Sequence, residues 1–237
     1  MDKMAKKKQA QSKTNKDSKG PVLFEENIEK HHKMKDDSST TIEKESTSLK
    51  TSSYMVKIVL IGDAAVGKTS IRQRYLGKGF QREHIATLGA DFAATTRNID
   101  EYNVKYQIWD LAGQPMFKNV RPRFYKGCFG SLAVFDITRK DTFQNLTSWI
   151  EELYKYSGRG VIPVIILANK TDLKEEREVS IKDAKEFIKK LNEKTKEHSI
   201  ENFFLETSAK TGLNIEKAFE ILGQYIIDRF SSSQEED

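Results

Sequence analysis

Gly62-Asp63-Ala64-Ala65-Val66-Gly67-Lys68-Thr69 follows a nearly unbroken apolar run, Met55–Ile61, and leads into sequence of helical character. Phosphate groups need donors that can approach without steric obstruction. Glycines at both ends let such a loop fold tightly, its N–H groups converge as an anion nest, and the helix that follows adds positive potential. In this GxxxxGK[ST] pattern Lys68 would reach the β- and γ-phosphates, and the Thr69 hydroxyl would ligate Mg²⁺. Asp63, Ala64, Ala65, Val66 and Gly67 would form the cradle with Ser70 just beyond it. An apolar run before such a loop is what a strand buried on both faces requires.

Leu132–Phe135, Val161–Ala168 and the shorter Phe203–Leu205 read as further buried strands. Residues 90–99 and 103–110 flank a polar turn and read as a hairpin, which puts one antiparallel strand in the sheet. Three amphipathic helices are expected between and after the strands. The first carries Phe143, Leu146, Trp149, Ile150 and Leu153 on one face, with capping-box spacing at Asp141 and Gln144. The second follows Ser180 and the third follows Asn214. Alternation of this kind implies an α/β fold with a mostly parallel sheet covered on both faces.

A second motif selects the base. Asn169-Lys170-Thr171-Asp172 follows the strand ending near Ala168, at the carboxyl edge where such sheets bind ligands. A carboxylate at Asp172 can accept hydrogens from guanine N1–H and its 2-amino group, whereas adenine N1 would present a lone pair. The mismatch of a buried polar group discriminates strongly. Asn169 can bond the N7 edge, and the Lys170 stem can pack over the ring. In Glu206-Thr207-Ser208-Ala209-Lys210 the Ala209 N–H is placed to bond guanine O6, with Ser208 and Lys210 beside it.

A third group concerns the γ-phosphate. Trp109-Asp110-Leu111-Ala112-Gly113-Gln114 ends the second hairpin strand. Asp110 lies where a phosphate-bound Mg²⁺ needs a supporting carboxylate, Gly113 leaves its N–H free for the γ-phosphate, and Gln114 can orient an attacking water. Gln114 and Lys68 are the candidate catalytic residues. Thr87 can add a second hydroxyl to the metal if its polar stretch folds over the nucleotide.

These segments, in this order, resemble the Ras superfamily, and its Rab-like branch most closely. The resemblance covers roughly 54–230. It implies a P-loop NTPase G domain: a six-stranded, mostly parallel sheet with one antiparallel strand and about five helices. It also implies a switch that binds GTP or GDP with Mg²⁺ and hydrolyses GTP slowly. Phe80–Phe92 would be switch I, Leu111–Lys126 switch II, and Phe80 would pack edge-on against the base. Phe92, Trp109 and Phe124 match an aromatic triad that effectors touch. Partners implied are GTP-state effectors, an exchange factor and an activating protein, acting on a monomer. Several positions depart from the family. Ala64 and Ala65 stand where Ras proteins carry glycine, Leu111 where Thr is usual, and Pro115 where a Glu assists exchange. The paired C-terminal cysteines of Rab proteins are absent.

Outside 54–230 the composition changes. Residues 1–53 hold twelve Lys against nine Asp or Glu, and a single aromatic, Phe24. Such a segment cannot bury enough surface to offset its ordering entropy. It is expected to be a disordered tail with a transient helix near Phe24–Lys35, and 231–237 a short acidic tail. The whole chain carries +5, but three of those charges fall in 1–53, so no nucleic-acid-binding body is expected. One cysteine, Cys128, allows no intramolecular disulfide and reads as a small buried hydrophobe. With no Gly after Met1, no terminal Cys and no apolar leader, neither a covalent lipid anchor nor a signal peptide is expected. The setting read from this is cytoplasmic, with at most weak electrostatic membrane contact through Lys6–Lys8. Two other functions stay open: a nucleotide-binding scaffold without hydrolysis, and a P-loop enzyme that phosphorylates a small metabolite.

Overall fold

The computed structural model describes residues 53–80 and 86–234. Most of the expected tails 1–53 and 231–237, the transient helix expected at Phe24–Lys35, and residues 81–85 of switch I lie outside the described residues. In chain order the regular elements are β1 (Ser53–Ile61), α1 (Lys68–Tyr75), β2 (Ala90–Ile99), β3 (Tyr102–Leu111), α2 (Pro122–Tyr125), β4 (Gly130–Asp136), α3 (Lys140–Gln144), α4 (Leu146–Tyr156), β5 (Val164–Asn169), α5 (Ile181–Thr195), β6 (Phe203–Glu206) and α6 (Ile215–Gln234). Short 3₁₀ turns occur at Pro115–Phe117, Thr171–Glu176 and Lys196–His198.

The six strands form one sheet in the order β2-β3-β1-β4-β5-β6. Only β2 runs antiparallel, paired with β3 from Ala90↔Leu111 to Ile99↔Tyr102; the other pairings are parallel. The chain leaves β1 for the β2–β3 side and then returns to lay β4 on the other side. β1 is therefore the point where strand order reverses, and the loop after it opens into the crevice where such sheets bind ligands.

Alternation along β1 assigns side chains to two layers. Val59 and Ile61 join Ala133, Phe135, Val164, Ile166, Leu146, Trp149, Leu153, Ile188 and Leu191 beneath α4 and α5. On the opposite face Tyr75 of α1 stacks on Phe219 of α6, with ring centroids 3.7 Å apart. Gly223 lets α6 come close: a Cβ there would sit 1.7 Å from the Tyr106 hydroxyl, which donates to the Phe219 carbonyl at 3.2 Å. Cys128 is buried, and burial pushes its thiol up to about 12.

Two details depart from the sequence reading. Asp141 lies inside α3 rather than at its cap, so the expected capping box does not form. The Lys140 N–H donates instead to Glu178 at 3.0 Å, and Thr142 Oγ1 accepts from the Asp136 N–H at 3.0 Å. The single helix expected there divides at Asn145 into α3 and α4, and with the short α2 the described residues hold six α-helices rather than about five. By contrast, Ser180 caps α5 by accepting from the Asp183 N–H at 3.1 Å. Helix α6 continues to Gln234, past Phe230, where the acidic tail was expected to begin.

Candidate functional site

The phosphate loop takes its shape from backbone requirements. Gly62 has φ 130° and Gly67 φ 103°. A Cβ on Gly62 would meet the Val134 carbonyl oxygen at 2.1 Å, and one on Gly67 the Asn169 side chain at 2.3 Å. Ala65 adopts φ 62°, a left-handed conformation unusual for a residue with a Cβ. The Lys68 ammonium donates to the carbonyls of Gly62 and Asp63 at 2.7 and 2.6 Å. Burial lowers its pKa to about 8, against the pull of Asp110 and Asp63. Val66 is buried, Ser70 is buried in the first turn of α1, and Ala64 offers its carbonyl to Arg139 Nη2 at 3.0 Å. The Asp63 carboxylate turns away from the loop and accepts from Trp149 Nε1 and Asn145 Nδ2, both at 2.7 Å.

Beside the loop, Thr69 Oγ1 lies 2.9 Å from Thr87 Oγ1 and donates to Asp110 Oδ2 at 2.5 Å. Register places Asp110 beside Leu60 at the end of β1. Its carboxylate is fully buried, and its Oδ1 has no hydrogen-bond partner. Burial raises its pKa, opposed by the Thr69 hydrogen bond and by Lys68 and Arg72. A buried carboxylate with a free lone pair, next to two converging hydroxyls, fits a divalent cation. Among the described residues no group of three or more His, Cys, Asp or Glu gathers. The donor set therefore suits Mg²⁺, which keeps waters and phosphate oxygens among its ligands, rather than an all-protein metal cage. Arg72 pairs with Asp91 and lies 3.9 Å from Asp110.

Gly113 is pressed on the phosphate loop: a Cβ there would meet the Asp63 carbonyl carbon at 2.3 Å and the Ala64 nitrogen at 2.4 Å. Gln114 follows, with Oε1 buried and unpartnered. One cleft of about 230 Å³ is lined by Ala64, Ala65, Gly67, Lys68, Thr69, Thr87, Gly113 and Gln114, among others. The structure thus brings the phosphate residues together around a single space.

The segments expected to recognise a base meet around Asn169. Its Nδ2 donates to the Val66 carbonyl at 2.8 Å, and its Oδ1 accepts from the Ala209 N–H at 3.2 Å and Thr207 Oγ1 at 3.3 Å. Asp172 Oδ1 accepts from Ser208 Oγ at 2.6 Å, and Lys210 Nζ lies 3.5 Å from Asp172 Oδ2. The Lys170 ammonium pairs with Asp136 at 2.7 Å. Phe80 is partly exposed and is the last described residue before 86. Phe92, Trp109 and Phe124 form a continuous row with centroids 5.1 and 5.4 Å apart.

Sequence reasoning missed Asp136, Arg139 and Arg72. Their partners Lys170, Ala64 and Asp110 lie far away in the chain, so only Asp136, at the polar end of an apolar run, carried a local signal.

The strand, phosphate loop and helix at the reversal of strand order define the class: a P-loop nucleotide-binding fold. A model of the Ras family matches residues 57–228. Ras-related protein RABA4a of Arabidopsis thaliana is 42% identical over 166 residues, 70% of this chain and 69% of that protein. Ras-related protein RABA4b of the same plant is 38% identical over 169 residues, 71% of each. The chain belongs to the Ras family of small GTPases, on its Rab-like side. Among the described residues no helix is long and apolar enough to cross a membrane.

Proposed function

We propose that this protein is a guanine-nucleotide switch that binds GTP and GDP with Mg²⁺ and slowly hydrolyses GTP to GDP and phosphate. The observation that carries the reading is the convergence of Thr69 Oγ1 on both Thr87 Oγ1, at 2.9 Å, and Asp110, at 2.5 Å. Thr69 belongs to the phosphate loop and Thr87 to switch I. A cation held by both hydroxyls would tie switch I to the nucleotide while the γ-phosphate is present and release it afterwards.

Lys68 and the amides of Asp63–Ser70 hold the phosphates. Asp172 selects guanine, with Ser208 and Lys210 fixing its carboxylate, while Asn169 and Ala209 address the other base edge and the Lys170 stem and Phe80 flank the ring. Bound Mg²⁺ would draw negative charge from the β- and γ-phosphate oxygens. Gly113 gives its N–H to the γ-phosphate, and Gln114 orients the water that attacks in line. Without a partner arginine, turnover should be on the order of 10⁻⁴ to 10⁻² per second. The Phe92–Trp109–Phe124 row would receive GTP-state effectors. Kinship with Rab-like proteins supports a role in membrane traffic or signalling, exerted from the cytoplasm or peripherally at a membrane. Pro115 cannot supply the acidic side chain that assists exchange elsewhere in the family, so an exchange factor would work by another route.

A GTP turnover assay with product identification tests the reading. Phosphate release without an acceptor is expected; no turnover would leave a scaffold, and a phosphorylated metabolite a transferase. Gln114→Leu should slow hydrolysis of preloaded GTP at least about tenfold, roughly 1.4 kcal/mol of barrier, with GTP affinity nearly unchanged.

A further inference from the structure

Beneath switch II lies a cluster that no motif announces. Arg121, just before α2, is 4% exposed. Its Nε and Nη2 donate to the two carboxylate oxygens of Glu152 in α4, at 2.9 and 3.1 Å. The Tyr125 hydroxyl donates to the same carboxylate at 3.0 Å. The guanidinium lies 4.0 Å from the centroid of the Trp149 ring, and Trp149 Nε1 donates to Asp63 of the phosphate loop at 2.7 Å. The remaining arm, Nη1, points at the Gln114 carbonyl oxygen at 3.5 Å.

Burying an arginine and a glutamate together is costly compared with an apolar pair, so such pairs are weak evidence of stabilisation and better evidence of a specified geometry. The planar fork makes that geometry strict, since it matches a carboxylate only in plane and edge-on. Backbone stiffness carries the restraint along the chain. Pro115 fixes φ directly after Gln114, and Pro122 fixes φ directly after Arg121. One helix, α4, therefore serves as the reference for two parts of the site. Trp149 holds Asp63 of the phosphate loop, and Glu152 holds Arg121, which faces the backbone of Gln114.

We propose that Arg121 is a positioning residue for hydrolysis, clamped by Glu152 so that the Gln114 side chain is set at a fixed place relative to the phosphate loop. The proposal rests on the role given to Gln114 above. Arg121 does not line the phosphate cleft, and the effect proposed for it passes through Gln114.

That dependence supplies the test. The full-length protein would be compared as wild type, Gln114→Leu, Arg121→Met, the two combined, and the charge-free pair Arg121→Met/Glu152→Leu. Each is preloaded with GTP; single-turnover hydrolysis, GTP dissociation and the thermal midpoint are then followed. Arg121→Met should slow hydrolysis about tenfold or more, as sub-ångström misplacement of a catalytic group does, while GTP dissociation stays unchanged. Added to Gln114→Leu, it should slow hydrolysis no further. The charge-free pair leaves no buried charge unpaired, although the Tyr125 hydroxyl loses its acceptor, so it should melt above Arg121→Met yet hydrolyse as slowly. Arg121→Lys keeps the charge without the fork and should not restore the rate. A wild-type rate in Arg121→Met or in the charge-free pair, with Gln114→Leu slow, would overturn the proposal alone. So would an equal slowing by Arg121→Met with and without Gln114, which marks independent sites. A wild-type rate in Gln114→Leu would overturn the role of Gln114 itself and the proposal with it.

Discussion

Asn169 Nδ2 donates to the Val66 carbonyl at 2.8 Å, and this one bond joins the loop proposed to read the base to the phosphate loop. The same carboxamide accepts from Ala209 at 3.2 Å, so three loops from separate parts of the chain share a single side chain. Asn169→Ala would leave the Val66 carbonyl buried without its partner, at about 1–3 kcal/mol, and would remove the side chain that braces the Ala209 amide. GDP release should accelerate by about tenfold or more, at 1.4 kcal/mol per decade, and the melting temperature should drop. Asn169→Asp should be worse, since it turns an acceptor toward the Val66 carbonyl. Release of a fluorescent GDP analogue measures the effect; unchanged release in both variants would remove Asn169 from this role.

The same residue marks where the sequence stops being informative. The segments Gly62–Thr69 and Asn169–Asp172 are contiguous, and their chemistry is written in adjacent letters. The strands were legible for a similar reason: β4 and β5 are buried throughout and mostly apolar because both their faces are covered. Partners at long separation have no such signature. That Asn169 braces Val66, 103 residues away, or that Arg121 meets Glu152, 31 residues away, follows from strand order and helix packing, which no periodicity encodes. Asp63 shows the limit most directly. Its place in the phosphate loop was evident, but its carboxylate serves Trp149 and Asn145, which depends on where α4 begins. The Asp141–Gln144 spacing misled because Glu178, from a distant loop, reaches the start of α3 first.

Ala65 stands at φ 62°, where a Cβ costs roughly 1–2 kcal/mol. Replacing it by glycine removes that strain but restores roughly 0.5–1 kcal/mol of unfolded-chain entropy. The net expectation for Ala65→Gly is a gain of up to about 1.5 kcal/mol. Ala65→Val should lose stability, because a β-branched side chain tolerates this conformation worse than Ala does. Urea unfolding of the nucleotide-free protein reads both directly, and a more stable valine variant would contradict the geometry.

Lys68 should make nucleotide binding depend on pH. Burial lowers its pKa from 10.5 to about 8, so in the free protein it loses its proton as pH rises through about 8. Phosphate oxygens favour the charged form and raise the pKa in the complex. Binding should therefore take up a proton above pH 8, with affinity highest below that value and falling as pH rises through it. Folding has the opposite sign. The unfolded chain holds this proton up to 10.5 and the folded chain only to about 8, so the free protein should gain stability with pH across that window. Calorimetry of GDP binding in buffers of different ionisation enthalpy detects the proton, and Lys68→Met should abolish the uptake. Uptake that persists in Lys68→Met would assign it to another group.

The base site offers a graded test because Asp172 is itself held in place. Its Oδ1 accepts from Ser208 Oγ at 2.6 Å, and its Oδ2 lies 3.5 Å from Lys210 Nζ. Guanine presents two adjacent donors, N1–H and the 2-amino group, and a fixed carboxylate meets both. Ser208→Ala keeps the carboxylate but frees it to rotate, so GDP affinity should fall by about the value of one hydrogen bond, 0.5–1.5 kcal/mol. Selectivity over ADP should survive, since adenine still turns a lone pair toward a carboxylate. Asp172→Asn changes the recognition itself. One acceptor becomes an amide donor that faces the 2-amino group of guanine, and GDP binding should fall by several kcal/mol, as happens when a site built for a polar partner loses it. Xanthine carries a 2-oxo group that accepts the new donor, so XDP should bind this variant better than GDP does. The expected order for GDP is wild type, then Ser208→Ala, then Asp172→Asn, with XDP reversing it only in the last. Titrations of GDP, ADP and XDP against all three proteins decide the matter: equal wild-type affinity for GDP and ADP would end the assignment of guanine, and an Asp172→Asn protein that still prefers GDP to XDP would move base selection to another residue.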